Sequence, residues 1–408
     1  MATAGIHPDI DGAYAWRRLA ISLAFATLGG VGMWGIVVVL PEMQAEFGVA
    51  RGDASLPYMM TMVGFGLGNA FIGRLVDRFG YMLPALFFAA MLGIGYILAG
   101  LAPSIWLLVA VQGLFIGLGS AVTFAPLIAD ISHWFVIRRG LAVSIAASGN
   151  YFAGAIWPLV TQHFIAGHGW REVYIGIGVA LLAGMLPLAL MLRRQRLEIS
   201  VAPPQRGGVS LLPISLSPAA LQALLMLAGF ACCMAMAMPQ VHIVAYCADL
   251  GYGVARGSEM LALMLGAGVV SRLGSGYLAD RFGGIRTLLI GSVLQGLSLL
   301  FYIPFDGLTP LYLVSFMFGL SQGGIVPCYA VIVREYMPAA EAGRRVGVVI
   351  ALTVAGMAVG GWMSGVIYDW TGSYAMAFLN GIAWNVVNVA TMLLVLSRTL
   401  RRSPLLPA

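Results

Sequence analysis

The chain has 408 residues, of which 60% are hydrophobic and only 9% are charged, and its formal net charge is +6. Soluble globular domains contain about a quarter charged residues, and a compact domain cannot bury this much apolar length. The composition therefore excludes a soluble protein and predicts one that crosses a membrane several times.

Apolar segments of spanning length follow one another along the whole chain, each ended by charged residues, Pro or Gly. A helix needs about 20 residues to cross the hydrocarbon, and backbone groups in lipid must be satisfied within their own helix. We therefore predict twelve transmembrane helices. Their predicted spans are 17–41, 56–79, 82–101, 104–129, 140–164, 171–192, 217–246, 257–279, 286–303, 309–333, 344–368 and 373–397.

The basic residues indicate the orientation of these helices. All 22 are arginines, and with both termini placed in the cytoplasm eighteen lie on that side. Arg51, Arg171 and Arg256 fall on the other side, and Arg272 falls inside a predicted helix. The positive-inside bias predicts cytoplasmic N- and C-termini. Because the positive charge lies in short loops beside helices, it does not indicate a nucleic-acid partner.

One charged octet occurs twice. Residues 73–80 are GRLVDRFG and residues 276–283 are GYLADRFG, a separation of 276 − 73 = 203 positions in a chain of 408. Each copy follows the second helix of a set of six, as expected for parallel repeats. We predict an all-α membrane protein with two pseudosymmetric six-helix halves. The predicted domains are 1–192 and 217–408, joined by a polar, Pro- and Gly-containing cytoplasmic linker at 193–216.

Arg272 is the one charged residue predicted to lie deep in the membrane. It precedes Asp280 by eight residues, about 12 Å along a helix, which places it near the middle of a hydrocarbon core about 30 Å thick. An Arg at this depth costs about 2.5–3.5 kcal/mol, and no acidic residue lies at comparable depth. Its planar guanidinium suits a carboxylate. The alternative is that Arg272 binds backbone carbonyls or extends to the cytoplasmic interface.

Other polar and aromatic residues are predicted at a similar depth. The duplication pairs Arg272 with position 272 − 203 = 69, which is Asn69, so the site is predicted to carry its charge in the C-terminal half. His242 is a candidate gating or titrating group. For each, an interhelical hydrogen bond or packing contact is the alternative role. The further candidates for substrate contact are Trp34, Asn150, Tyr151, Gln322 and Tyr329.

The repeated octet resembles the signature loop of the major facilitator superfamily, which lies between the second and third helices of each half. Gly80 and Gly283 would permit the tight turn that this loop needs. The resemblance implies that the octet charges, with Arg138, hold one conformation closed on the cytoplasmic side. A solvated turn without a switching role is the alternative. The implied gating residues are Asp77, Arg78, Asp280, Arg281 and Arg138.

Three further stretches resemble the monocarboxylate transporter family, and bacterial oxalate–formate antiporters share much of the pattern. They are DGAYAW at 11–16, WFVIRRGLAVSIAASG at 134–149 and GWMSGVIYDWTGSY at 361–374. The resemblance implies that Arg272 binds the substrate carboxylate. The chain departs from the family at position 268, which is Gly instead of Asp, and in the absence of Lys from the first helix. Proton symport is therefore in question, and a counter-anion also fits. The eleventh helix lacks the additional Lys of the oxalate antiporters, which favours a single carboxylate.

We therefore predict a secondary transporter of a small organic anion, most simply a monocarboxylate, acting as a monomer in the cell membrane. No enzymatic activity, cofactor or metal site is predicted, since a chain without Lys has no phosphate-binding loop of the Walker type and the four cysteines lack metal-ligand spacing. Two alternatives remain: a transporter of a larger or neutral metabolite or drug, and a membrane sensor that binds a carboxylate without moving it.

Overall fold

A computed structural model describes residues 9–194 and 213–399 of the chain. Within these ranges, eleven helical segments are long and apolar enough to cross a membrane. One of them, Arg139–Met191, contains two spans that meet at Gly169, where φ is 75° and the backbone leaves the helical conformation. The described part of the chain thus holds twelve membrane-crossing helices, and the predicted all-α fold is confirmed. Most of the predicted linker, residues 195–212, lies outside the described residues.

We number the helices 1 to 12 in chain order. They are Ala13–Phe47, Arg51–Phe79, Met82–Gly100, Ile105–Ser132, 139–168, 170–191, Pro218–Asp249, Gly253–Phe282, Gly284–Phe301, Leu308–Tyr336, Ala339–Thr371 and Tyr374–Ser397.

Because the number of spans is even, the described chain begins and ends on one side of the helix bundle, which we call the terminal face. The other side, where helix 1 meets helix 2, is the opposite face. Several helices extend beyond the predicted apolar spans by up to about two turns, since helices continue past the hydrocarbon into the interface.

The duplication is visible in the backbone. Helices 2 and 8 end at Phe79 and Phe282, and each is followed by a glycine with positive φ, 73° at Gly80 and 82° at Gly283. These positions are 203 residues apart, the separation of the sequence repeat. A left-handed turn of this kind favours glycine, which explains the residue at the end of both octets.

The two halves pack against each other mainly through two helix pairs, helix 2 with helix 11 and helix 5 with helix 8, and to a smaller extent through helix 1 with helix 7. Helices 2 and 11 meet closely near the opposite face, where a Cβ on Gly365 would lie 2.8 Å from the carbonyl oxygen of Arg51. Helices 5 and 8 meet at mid-depth, where a Cβ on Gly154 would lie 2.3 Å from Leu265. Small residues permit these close helix contacts.

The same helix pairs separate toward the terminal face. Among the described residues, a Cβ placed on Gly140, Gly274 or Gly347 would meet nothing within 4 Å. Nearby, Leu141 of helix 5 and Tyr277 of helix 8 expose 50% and 66% of their surface. The halves are therefore closed at the opposite face and splayed at the terminal face. Arg272 lies where the closed part of the helix 5–helix 8 contact ends.

Candidate functional site

Arg272 on helix 8 reaches across to helix 5. Its Nη1 donates a hydrogen bond to the carbonyl oxygen of Ala147 at 2.9 Å, and its Nε donates to that of Gly323, on helix 10, at 3.3 Å. The guanidinium carbon lies 4.4 Å from the centre of the Tyr151 ring. The backbone-carbonyl contacts that the sequence left as an alternative are thus present.

The charge of Arg272 is not neutralised by the contacts that hold it. Within residues 9–194 and 213–399, Arg272 has no carboxylate within ion-pair distance, and its Nη2 donates to no carbonyl or carboxylate oxygen. The side chain is partly buried, and it lies at the inner end of the space between the splayed helices 5 and 8, which we call the cleft. Carbonyl oxygens satisfy two of its donors but leave the net positive charge. An anion arriving along the cleft would find an unpaired positive charge.

Trp34 and Asn150 form a second contact beside Tyr151. The indole Nε1 of Trp34 donates to the backbone oxygen of Asn150 at 3.1 Å and to its side-chain oxygen at 3.2 Å. This joins helix 1 to helix 5 one residue before Tyr151. These two predicted site residues therefore touch each other, and they are neutral.

Gln322 precedes Gly323 on helix 10 and is fully buried. Its side-chain oxygen accepts a hydrogen bond from Gln240 of helix 7, while its Nε2 has no partner among the described residues. A buried N–H without an acceptor costs about 1–3 kcal/mol. Gln322 thus carries an unsatisfied donor next to the residue whose carbonyl holds Arg272.

Asn69 and Tyr329 make contacts within their own halves. The side chain of Asn69 donates to the carbonyl of Phe65 and accepts from the backbone amide of Ala125, which ties helix 2 to helix 4. The hydroxyl of Tyr329 donates to Asn388 of helix 12 at 3.1 Å. The structure does not bring either side chain to Arg272 through a hydrogen bond.

Four of the predicted gating residues lie on the exposed octets. Asp77, Arg78, Asp280 and Arg281 are all exposed at the terminal face. Each octet arginine lies against the phenylalanine that follows it, Arg78 on Phe79 and Arg281 on Phe282. The N-terminus of helix 9 is instead capped by Glu335 of helix 10, whose carboxylate accepts from the amide of Gly284.

Arg138, the remaining predicted gating residue, belongs to a junction between two of the sequence signatures. Its guanidinium carbon lies 5.9 Å from the Trp16 ring. The carboxylate of Asp11 accepts hydrogen bonds from the backbone amides of Val136, Ile137 and Arg138. The stretches at 11–16 and 134–149 are therefore one structural unit at the start of helix 5. Partial burial opposes ionisation of Asp11, but these amides and the Arg138 charge hold the pKa of its carboxyl below the ordinary value.

A buried ion pair completes this terminal-face region, and the sequence analysis missed it. Arg18 of helix 1 binds Asp130 of helix 4 at 2.8 Å, and both side chains are almost fully buried. Arg18 also lies against the Trp134 ring, 4.8 Å from its centre, and donates to the carbonyl of Leu192 at the end of helix 6. Counting Arg18 among the cytoplasmic arginines gave no signal of this partner.

The opposite face is closed by a polar cluster of which the sequence analysis singled out only His242. Arg51 of helix 2 binds both carboxylate oxygens of Asp249 on helix 7, each at 3.2 Å. Asp369 of helix 11 accepts hydrogen bonds from the backbone amides of Arg51 at 2.8 Å and Gly52 at 2.7 Å. Arg51 also donates to the hydroxyl of Tyr374. We call Arg51, Asp249, Asp369, Tyr374 and His242 the opposite-face cluster.

His242 is the innermost member of this cluster and is fully buried. Its Nε2 lies 2.7 Å from the carbonyl oxygen of Gly361 and its Nδ1 lies 3.2 Å from the Tyr374 hydroxyl. A carbonyl can only accept, so Nε2 carries the hydrogen. The Tyr374 hydroxyl accepts from Arg51 and has one proton left for Nδ1. The hydrogen bonds thus favour a neutral His242 in this state.

No group of three or more His, Cys, Asp or Glu side chains that would suit a metal ion occurs in the part of the chain that the structure describes. The four cysteines are free and buried. The site is therefore built from one cation, neutral hydrogen-bonding groups and aromatic rings.

Comparison with known proteins bears on this arrangement. The family model described as Major Facilitator Superfamily matches residues 22–308 and 257–406. Monocarboxylate transporter 13 of Rattus norvegicus is 26% identical, over 90% of this chain and 86% of its own length. The fujikurins efflux protein of Gibberella fujikuroi is 28% identical, over 76% of this chain and 69% of its own.

Among solved structures, the chain is similar to a bacterial homolog of the human lysosomal transporter Spinster in an inward-facing and occupied conformation. The TM-score is 0.76 at 15% sequence identity, covering 98% of this chain and all of that one. At this low sequence identity, the structural similarity shows a shared fold.

Proposed function

Because the chain belongs to the Major Facilitator Superfamily and is similar to monocarboxylate transporters, we propose that it carries a small organic anion, most simply a monocarboxylate, across the membrane by alternating access. The single observation that carries this proposal is that Arg272, for which the sequence predicts a position near the middle of the membrane, has only neutral partners among the described residues. A positive charge at this depth is stabilised when an anion from the cleft pairs with it.

The donors of Arg272 suit a carboxylate. Among the described residues Nη2 donates to no carbonyl or carboxylate oxygen, and Nη1 is held by the single hydrogen bond to Ala147. A carboxylate that approaches from the cleft can take Nη1 and Nη2 together as a bidentate pair, exchanging a neutral acceptor for a charged one. Lys presents a point charge without this planar pair of donors. The geometry therefore favours a carboxylate over a spherical anion.

Neutral groups around Arg272 would hold the rest of the substrate. The free Nε2 of Gln322 can donate to a second oxygen of the substrate, and Trp34, Asn150 and Tyr151 supply the wall on the side of the N-terminal half. In this arrangement the C-terminal half supplies the positive charge that binds the substrate, and the N-terminal half supplies the wall that fits its shape. The hydrogen bonds of Asn69 and Tyr329 within their own halves favour a supporting role for both.

Alternating access requires a second state in which the terminal face closes. We propose that residues 1–192 and 217–408 move as two six-helix domains about the Arg272 region, joined by the linker at 193–216. Closing would bring the helix 5 and helix 8 ends together, where Asp77, Arg78, Asp280, Arg281 and Arg138 can meet partners from the other half. The opposite-face cluster would separate in the same step.

We propose that the terminal face lies in the cytoplasm, which the arginine distribution supports, and that the protein acts as a monomer in the cell membrane. The present state then opens to the cytoplasm. The residues that the resemblance associates with proton coupling are absent, since position 268 is Gly and the first helix lacks Lys. We therefore propose His242 as the candidate titrating group. A counter-anion is the alternative to a proton as the coupling ion.

A second candidate function is efflux of a larger metabolite. It is favoured by the similarity to the fujikurins efflux protein and by the carbonyl contacts of Arg272, which would let that residue serve structure alone. In that case, the substrate would bind mainly to the aromatic and apolar wall of the cleft.

Uptake of radiolabelled lactate into proteoliposomes tests the proposal. We expect saturable uptake that Arg272→Ala abolishes and that Arg272→Lys largely fails to restore. Arg256→Gln, which removes an exposed arginine far from the site, is the matched control and should transport normally. Unchanged uptake by Arg272→Ala would refute Arg272 as the anion ligand. Uptake of a neutral metabolite that survives the same substitution would favour the second function.

A further inference from the structure

The Tyr151 ring packs against helix 8 at Gly268, where any side chain on helix 8 would overlap the ring. A Cβ on Gly268 would lie 2.4 Å and 2.6 Å from two carbons of the Tyr151 ring. Contacts this short do not occur between real atoms, so any other residue at 268 would displace the ring. Gly268 therefore provides the space that Tyr151 occupies.

Packing on Gly268 also places the Tyr151 ring against the guanidinium of Arg272. Gly268 and Arg272 are one helical turn apart on helix 8, so they share a face. The ring that packs on the first residue also lies 4.4 Å from the guanidinium carbon of the second. Ala147, which accepts from Nη1, lies one turn before Tyr151 on helix 5. Helix 5 thus holds the Arg272 guanidinium with the ring face of Tyr151 and the carbonyl of Ala147.

These partners orient the cation without cancelling its charge. An aromatic face attracts a guanidinium through its quadrupole, and this attraction grows when both groups are removed from water. Tyr151 is only 8% exposed. A carboxylate in the same place would hold Arg272 equally well but would compete with an anionic substrate. An aromatic ring leaves the charge and Nη2 available.

On the basis of the proposed function, we propose that Tyr151 is a positioning residue that sets the affinity for the anion by holding Arg272 in its binding orientation, and that Gly268 is required to seat it. Tyr151 and Ala147 belong to the N-terminal half, whereas Arg272 belongs to the C-terminal half. The orientation of Arg272 thus depends on the closed helix 5–helix 8 contact, which links anion affinity to the conformational state.

The alternative is that Tyr151 fills space. The two roles differ in what they require of the side chain, because positioning by a ring face needs an aromatic ring but not its hydroxyl. They also differ kinetically. Lost packing lowers the stability and the amount of folded protein, whereas lost orientation raises KM in the protein that remains folded.

The test compares KM for lactate uptake, normalised to the amount of folded transporter. Tyr151→Phe should keep KM within about twofold. Tyr151→Leu should raise KM roughly threefold to thirtyfold, which is the range of a buried cation–π contact, with little change in maximal rate. Phe65→Leu, which trims a buried ring that packs on Phe124 in the same half, is the packing control and should leave KM unchanged.

A double-substitution cycle tests the role of Gly268. Gly268→Ala alone should raise KM because its methyl group displaces the ring. Combined with Tyr151→Leu, it should add little, since the shorter side chain can turn aside. Independent effects on KM, or an unchanged KM in Tyr151→Leu, would overturn this inference while Arg272→Ala still abolished uptake. If Arg272→Ala transported normally, the proposed function itself would fail.

Discussion

The carboxylate of Asp369 on helix 11 caps the first turn of helix 2 at Arg51, with a hydrogen bond of 2.8 Å to its backbone amide. The two residues are 318 positions apart and belong to different halves of the protein. This contact, together with the pairing of Arg51 and Asp249, must break whenever the opposite face opens. The opposite-face cluster therefore stabilises the state that opens at the terminal face.

Weakening this cluster should shift the conformational equilibrium. Hydrogen bonds to charged groups contribute about 1.5–3 kcal/mol each, so Asp369→Asn or Arg51→Gln should raise the population open at the opposite face about tenfold or more. Spin labels at exposed Ala45 and Ala255 would report this as a longer distance. Glu172→Gln, an exposed change outside the cluster, is the control. An unchanged distance distribution in both variants would contradict a role of the cluster in closure.

The ion pair of Arg18 and Asp130 should dominate the stability of the terminal-face region. Asp130→Asn leaves a buried arginine without its counter-charge, which costs about 3–5 kcal/mol. We expect a clear loss of thermal stability in detergent. Arg194→Gln, which removes an exposed arginine from a pair with Asp9, should change the stability by less than about 1 kcal/mol. Equal effects of the two substitutions would contradict the buried character of the first pair.

The carboxyl of Asp11 should make the stability of the folded protein fall at acidic pH. Since the pKa of its carboxyl is lower in the folded protein than its ordinary value of 3.8, its contribution to stability is complete above that value. The contribution is lost as the pH falls through the folded-state pKa. Asp11→Asn tolerates the positive φ of 53° at this position, but it should lower stability at pH 7 by on the order of 1 kcal/mol.

The measurement for Asp11 is the melting temperature of both proteins as a function of pH. The difference between wild type and Asp11→Asn should be constant near neutral pH and should shrink below about pH 4. A difference that grew on acidification would contradict the assigned hydrogen bonds.

The octet aspartates should affect the rate of exchange rather than binding. If Asp77 and Asp280 contact the other half when the terminal face closes, Asp77→Asn and Asp280→Asn should slow lactate exchange several-fold while the affinity for lactate stays unchanged. Counterflow in proteoliposomes measures the first quantity and thermal stabilisation by lactate measures the second. Normal turnover in both variants would remove these residues from the gate.

The sequence predicts the helices, the duplication and the family because these follow from apolar length and local motifs. It also predicts the depth of Arg272, which depends only on helical rise from Asp280. The contacts of Arg272 could not be predicted, since Ala147 contributes a backbone oxygen and backbone groups have no sequence signal. The glycine at 268 is visible in the sequence, but its contact with Tyr151 depends on how helices 5 and 8 cross.

The two ion-pair systems were missed for a related reason. Arg51 and Arg18 count toward the charge bias of their faces, and charge counting treats each as an isolated charge. Their partners, Asp249 and Asp130, are 198 and 112 positions away. Pairing at this separation is set by tertiary packing rather than by any local pattern.

Ligand-induced stabilisation tests the central claim most directly, because a ligand that binds only the folded protein raises its melting temperature. A panel of monocarboxylates, dicarboxylates and neutral amides of the same size should be measured on wild type and on Arg272→Gln. We predict that at least one monocarboxylate stabilises the wild type, that its amide does not, and that Arg272→Gln loses the response while remaining folded. Equal stabilisation of both proteins by the carboxylate would contradict Arg272 as the anion site.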